Sequence, residues 1–281
     1  MLPSQYLPII RRALDEDLGL AGDQSALAVP KTHHSAGTVV ARKAGRIAGV
    51  EVAAAVFHEI DPKTTVDVVT GDGADASAGQ RLLRLEGVSR SLLSSERVAL
   101  NLLSRMCGVA TATNALVELV RGTRAHIADT RKTMPGLRVL DKYAVRVGGG
   151  LNHRFGLFDA VMIKDNHLVA AGGIRRAVEA ARRTVGHTVT IEVEVTTLDQ
   201  LQELLEVGAE IVLLDNMDLA TMRRAVEIVN GAMIVEASGG ITPDNVREIA
   251  ETGVDVISVG WITHSAPALD VALDFDPPTA L

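Results

Sequence analysis

The run EIVLLDNMDLATMRRAVEIVNGAMIVEASGG, residues 210–240, decides the fold. Its two apolar runs, EIVLLDN and AMIVEASGG, are short, nearly continuous and closed by polar residues. Such runs suit strands covered on both faces, as a parallel sheet requires. The stretch between them, DLATMRRAVEIVNG, is amphipathic at helical spacing and opens on Asp218, a capping residue. One βαβ unit accounts for the whole segment.

The same grammar extends in both directions. AHIADTRK, DAVMIKDNH, VTIEVEVTT and VDVISVGW are further strand candidates, with helices expected in AGGIRRAVEAARRTV, TLDQLQELLEVG and TPDNVREIAETG. Thr197, Asp218 and Thr242 stand at helix starts, Gly208 and Gly253 at helix ends. The polar residues closing the strands are Asp129, Lys164, Glu194, Asp215, Glu236 and Gly260, one per βα unit. Six units in a row, with a possible seventh nearby, favour a (β/α) barrel over an open doubly wound sheet. In a barrel, these residues meet at the mouth where active sites lie.

The first half reads differently. GTVVARKAGRIAGVEVAAAVF, TTVDVVTGDGADA and QRLLRLEG have alternating or glycine-punctuated strand character, typical of an antiparallel sheet. A long helix is expected from about Ser91 to Val120, interrupted at Gly108. The domains implied are a small α+β domain over 1–108, a barrel over 109–265, and a C-terminal strand in 266–281 that returns to the first domain.

Composition narrows the function. The 281 residues carry a formal net charge of −7, and aromatics are only 2%, which leaves few stacking platforms for single-stranded nucleic acid. No apolar run is long enough to span a membrane, and MLPSQYLPIIRRALDEDLG does not read as a signal peptide. The single cysteine, Cys107, suits a reducing compartment and reads as a buried, inert thiol. A cytoplasmic location is expected.

Against that acidic background, residues 126–167 gather Arg131, Lys132, Arg138, Lys142, Arg146, Arg154 and Lys164, with His153 and His167. Such an island needs a solvated face or an anion. In DTRKT, Arg131 offers a planar fork for carboxylate or phosphate and Lys132 a compact charge. GGG at 148–150 precedes Asn152, His153 and Arg154 and permits close approach of an anion to backbone. Lys164 closes a strand as either a Schiff-base nucleophile or an anion ligand. Glu194 and Asp215 end neighbouring strands and suit Mg²⁺ or ribose hydroxyls; Glu192 alternates with Glu194, and spacing does not choose between them. EASGGIT, a glycine-rich turn running into the helix PDNVREIAETG, reads with Gly260 in SVGW as a phosphate site built from backbone N–H groups and a helix N-terminus. Arg97, on the long helix, reads on composition as a solvated arginine.

Taken together, DTRKTMPGLRVLDKYAVRVGGGLNHRFGLFDAVMIKDNH, SSERVALNLLSRMCGVATATN, EVEV, LLDN, EASGGI and VGWITHSAPALDVALDF closely resemble the quinolinate phosphoribosyltransferase family over nearly the whole chain. DEDLGLAGDQSALA departs from it in lacking a usual threonine pair, and Cys107 stands where serine is common. The resemblance implies an N-terminal α+β sandwich domain joined to an incomplete (β/α) barrel, and a homodimer, with higher oligomers open, in which each N-terminal domain closes the partner's barrel. It implies transfer of phosphoribosyl from phosphoribosyl pyrophosphate to quinolinate with decarboxylation, using Mg²⁺. It also implies that Arg97 of the partner, Arg131, His153 and Arg154 hold quinolinate. Thr130, Lys132 and Lys164 would bind substrate, Glu194 and Asp215 would take ribose and metal, and Ser238, Gly239, Gly240 and Gly260 would cradle the phosphate. The rival readings are a Schiff-base aldolase acting through Lys164 and a related barrel protein of molybdenum metabolism.

Overall fold

A computed structural model describes residues 1–277. The chain forms α1 (Pro3–Leu18), β1 (His34–Ala41), β2 (Gly45–Arg46), α2 (Val50–Ile60), β3 (Thr65–Val68), β4 (Asp75–Ala76), β5 (Arg81–Val88) and α3 (Ser89–Leu119). There follow β6 (His126–Ala128), α4 (Arg138–Val147), β7 (Val161–Ile163), α5 (Asp165–Ala171), α6 (Ile174–Thr184) and β8 (Ile191–Val195). The last elements are α7 (Leu198–Val207), β9 (Ile211–Asp215), α8 (Leu219–Val229), β10 (Ile234–Ser238), α9 (Val246–Ala250), β11 (Val256–Ser258), α10 (Trp261–His264) and β12 (Val271–Phe275).

Two compact units result. The first comprises 1–114, 133–149 and the chain from 262 on; the second comprises 115–132 and 150–261. The segment 133–149, which sequence reading assigns to the barrel, therefore belongs to the first unit.

In the first unit β12, β1, β5 and β3 form an antiparallel sheet in that order, with Gly37 opposite Phe275 and Ala41 opposite Val271. The expected C-terminal strand thus pairs with β1; residues 278–281 of that expectation lie outside the described residues. VEVAAAVF, read as strand, lies in the helix α2. Its Val52, Ala53, Val56 and Phe57 recur at helical spacing and are buried together, and the Asp72 carboxylate accepts the N–H groups of Gly49 and Val50 at its start. Alternation was the wrong period there.

Gly108 does not interrupt α3, which runs unbroken to Leu119. A Cβ at Gly108 would lie 2.2 Å from the Pro267 carbonyl oxygen, so this glycine lets another chain segment cross the helix at close range. That accounts for a residue that costs an ordinary helix about 1 kcal/mol. The residue before it, Cys107, is fully buried, its Sγ accepting from the Ala48 N–H and donating to the Ala48 carbonyl. Burial pushes the thiol up to about 12. It is inert, as its apolar setting in the sequence implies.

The second unit holds a six-stranded parallel sheet in the order β6, β11, β10, β9, β8, β7. Its outward residues, such as Val193, Val212, Leu214, Val235 and Ala237, are buried, which explains the near-continuous apolar runs. Thr197 and Asp218 cap α7 and α8, accepting from the Gln200 and Thr221 N–H groups. Each cap contributes about 1 kcal/mol. β6 and β7 are the two edges, and Leu151 forms a single parallel bridge to Ala128 on the free side of β6. That bridge occupies the place of a further strand in an incomplete (β/α) barrel.

Candidate functional site

At the C-terminal end of β6, Asp129 is fully buried and grips the turn that follows Leu151. One carboxylate oxygen accepts from Asn152 Nδ2 at 2.7 Å, the other from the His153 N–H at 2.9 Å. Thr130 Oγ1 accepts from the Lys132 N–H at 3.0 Å, setting the DTRK turn on the same strand end. The two cationic motifs are thereby fastened side by side.

Arg154 is half-buried and donates from Nη1 to the Ala160 carbonyl at 3.0 Å. Burial, and then the neighbouring Arg131 guanidinium, hold Arg154 below the ordinary guanidinium range. Arg154 nevertheless stays protonated at neutral pH, so a site that sets it near a second cation favours an anion. Asp159 instead caps the backbone, accepting from the N–H groups of Phe155 and Gly156.

On the neighbouring strands, Lys164 Nζ donates to Glu194 Oε2 at 2.6 Å. Glu194 stands opposite Leu213 in the register, so Asp215, two residues further along β9, projects on the same side as Glu194. Asp215 is half-exposed at the end of β9 and accepts from Asn216 Nδ2. These hard oxygen donors on adjacent strands suit Mg²⁺ shared with substrate phosphate.

Beneath them lies a cluster that sequence reading did not assemble. His153 Nε2 lies 3.0 Å from Glu192 Oε2 and 3.6 Å from Glu236 Oε1. Both carboxylates are buried, and burial followed by the charge of Glu192 pushes Glu236 up to about 7. Glu236 does not close its strand, as expected from sequence; it sits mid-strand opposite Leu213, and Ser238 closes β10. Glu192 and Glu194 divide the two readings that spacing left open: Glu192 meets the histidine, Glu194 the lysine.

The glycine turn after β10 is built from Gly239 (φ +94°) and Gly240 (φ +61°), with open space over Gly240. Thr242 is not a helix cap: α9 begins only at Val246, and Asn245 Oδ1 instead accepts from the Thr242 N–H. A phosphate here would meet the turn's backbone rather than a helix end. Trp261 Nε1 donates to the Ile241 carbonyl at 3.1 Å, tying this turn to the segment that follows Gly260. Nothing in the spacing of the sequence signals that link.

All the proposed site residues except Arg97 lie in the second unit; Arg97 is exposed on α3 in the first. The basic island is divided as well. Arg138, Lys142 and Arg146 belong to the first unit, where Lys142 is fully buried and Arg138 donates to Thr133 Oγ1.

An incomplete barrel with cations and paired carboxylates at its strand ends defines a class of protein that binds polyanionic substrates. Sequence models of the quinolinate phosphoribosyl transferase N-terminal and C-terminal domains match residues 23–107 and 109–274. The chain belongs to the quinolinate phosphoribosyltransferase family. It is 45% identical to a carboxylating nicotinate-nucleotide pyrophosphorylase of Mycobacterium leprae, over 94% of this chain and 95% of that protein. It is 41% identical to a probable enzyme of the same name from Bacillus subtilis, over 92% and 89%. The solved nicotinate-nucleotide pyrophosphorylase of Francisella tularensis superposes with a TM-score of 0.94 at 38% identity, covering 98% of each chain.

Proposed function

We infer that this protein is a decarboxylating quinolinate phosphoribosyltransferase of de novo NAD synthesis, converting quinolinate and phosphoribosyl pyrophosphate into nicotinate mononucleotide, pyrophosphate and carbon dioxide. The observation that carries this reading is the pairing of Arg131 with Arg154 in the same half-barrel as the Lys164–Glu194 pair. A dicarboxylate and a pyrophosphate approach one another closely only among such cations.

In this reading Arg131 and Arg154 receive the quinolinate carboxylates, with His153 lining the same pocket. Thr130, Lys132 and Lys164 lie where carboxylate and pyrophosphate meet. Glu194 and Asp215 accept from the ribose hydroxyls and would hold Mg²⁺, which supplies charge neutralisation for the departing pyrophosphate. Ser238, Gly239, Gly240 and Gly260 cradle the 5′-phosphate.

The bond from the anomeric carbon to pyrophosphate breaks, its electron pair leaving with the pyrophosphate, and the ring nitrogen's lone pair forms the new bond. Lys164 stabilises the leaving charge, and the arginines hold the ring in line. Once ribosylated, the ring nitrogen is cationic. It stabilises the electron pair left on the adjacent carbon when carbon dioxide departs, and a solvent proton then adds to that carbon. No nucleophilic side chain and no lysine base are required.

The working form is a homodimer in which Arg97 of the partner subunit completes the quinolinate pocket, in keeping with its exposure on α3 and with the family resemblance. The reaction belongs in the cytoplasm, which suits a chain whose single thiol is buried and reduced. No helix among the described residues is long and apolar enough to cross a membrane.

The test is formation of nicotinate mononucleotide from quinolinate and phosphoribosyl pyrophosphate, with and without Mg²⁺. Product from nicotinate instead, or no product, overturns the assignment. Mixing Arg97→Ala with Lys164→Ala protein should restore part of the activity through heterodimers; absence of rescue counts against the shared site.

A further inference from the structure

His153 has both ring nitrogens engaged by the protein. Nδ1 accepts the backbone N–H of Arg154 at 2.8 Å, so it carries no proton. The ring proton is therefore on Nε2, 3.0 Å from the buried Glu192 carboxylate. His153 is a neutral imidazole in this arrangement, and the positive charge of the pocket comes from the arginines and lysines. The same bond argues against a metal among His153, Glu192 and Glu236, although their ligand atoms lie within 4.8 Å of one another. A metal on Nε2 would move the ring proton to Nδ1, where it would face the Arg154 N–H, donor against donor.

The backbone of the same turn is held from the other side. Asp129, fully buried, accepts from Asn152 Nδ2 and from the His153 N–H. A carboxylate just past β6 thus fixes the backbone at 152–153, a carboxylate on β8 fixes the imidazole, and the imidazole fixes the N–H of the next residue. That residue is Arg154, whose guanidinium is anchored on the Ala160 carbonyl at 3.0 Å.

We propose that Asp129 and Glu192 are positioning residues of the dicarboxylate pocket: through the backbone and the Nε2–H tautomer of His153 they hold Arg154 in the orientation that receives a substrate carboxylate. The proposal rests on the functional reading above for the identity of that dicarboxylate. It adds a structural task for His153 to the quinolinate contact that the family resemblance implies.

The first test needs no variant beyond an assignment control. In the ¹⁵N-labelled wild-type protein at pH 7, with the His153 signals identified by comparison with His153→Gln, the ring should report the Nε2–H tautomer. An Nδ1–H tautomer or an imidazolium overturns the proposal, whether or not the protein turns over quinolinate. The second test is kinetic. Glu192→Ala should raise the KM for quinolinate about 10-fold or more, a loss of about 1.4 kcal/mol, while the KM for phosphoribosyl pyrophosphate changes less than about twofold. Glu192→Gln, whose amide oxygen still accepts the Nε2–H, should restore both the tautomer and the quinolinate KM. Equal changes in the two KM values, or no recovery with glutamine, overturn it. A wild-type protein without any quinolinate turnover would instead refute the functional reading and leave the tautomer result standing.

Discussion

Lys164 Nζ and Glu194 Oε2 lie 2.6 Å apart, joining the ends of two adjacent parallel strands. Lys164 is nearly half exposed and Glu194 largely enclosed, so the lysine supplies the one-sided neutralisation of a carboxylate that would otherwise face the mouth alone. In the proposed function, the same ammonium stabilises a departing pyrophosphate. Lys164→Ala should lower kcat at least about 100-fold, the usual cost of removing one preorganised charge from a developing anion. Borohydride added during turnover should leave no covalent adduct on Lys164 by mass spectrometry; an adduct would restore the Schiff-base reading.

The glycine turn offers a separate handle on the phosphate. Gly239 has φ +94°, and a Cβ there would lie 2.2 Å from Asn216 Oδ1. Gly239→Ala must displace Asn216, which donates to Asp215. The KM for phosphoribosyl pyrophosphate should rise at least about 10-fold, about 1.4 kcal/mol, with quinolinate binding nearly unchanged. Gly240→Ala meets open space and carries only the left-handed backbone cost of about 1–2 kcal/mol. Steady-state kinetics of both variants should therefore separate crowding from backbone strain.

In the first unit, Arg105 meets the fully buried Asp141 through two bonds of 2.8 Å each and also donates to the Thr263 carbonyl. Asp141 in turn accepts from the Met134 N–H, so the pair pins the segment from 133 onward. Burial raises the pKa of Asp141, and Arg105 opposes that rise. Arg105→Ala should destabilise the protein by about 3–5 kcal/mol, the range for leaving one member of a buried pair uncompensated. Urea unfolding would measure it. A loss below about 1 kcal/mol would mean that the pair carries little of the segment's stability.

Glu236 gives a pH dependence of defined sign. Its folded-state pKa, about 7, lies above the ordinary value of 4.5, chiefly through burial. Below 4.5 the group is protonated in both states and its contribution to stability is fully present. As pH rises toward 7 the unfolded chain ionises first, and that contribution is lost. Glu236→Gln should flatten the stability profile between those two values in urea unfolding at a series of pH values. A glutamine variant with the wild-type slope would show that another group sets it.

Much of the site was legible because its residues carry charge at the ends of apolar runs. Arg131, Lys132, Arg154, Lys164, Glu194 and Asp215 are exposed or half-buried strand-end or turn residues, and a parallel sheet brings consecutive strand ends to one side. The groups beneath them were not legible. Asp129 was read as one more strand-end residue, and Glu236 was misplaced at the end of its strand. Glu192 could not be told from Glu194, because period-two alternation sends both side chains to the same side. Only their depth separates them, and depth is set by what the neighbouring strands present.

The sequence alone determined the βα grammar of the second half, the caps at Thr197 and Asp218, and the family, since these depend on local periodicity and on motifs. Tertiary structure decided the rest. VEVAAAVFHEI became helix because its apolar face had a partner at helical spacing, and Gly108 stayed within a helix because the backbone near Pro267 crosses it. The proton of His153 was decided in the same way: one neighbour's N–H and another's carboxylate, from residues distant in the chain, leave a single nitrogen on which it can reside.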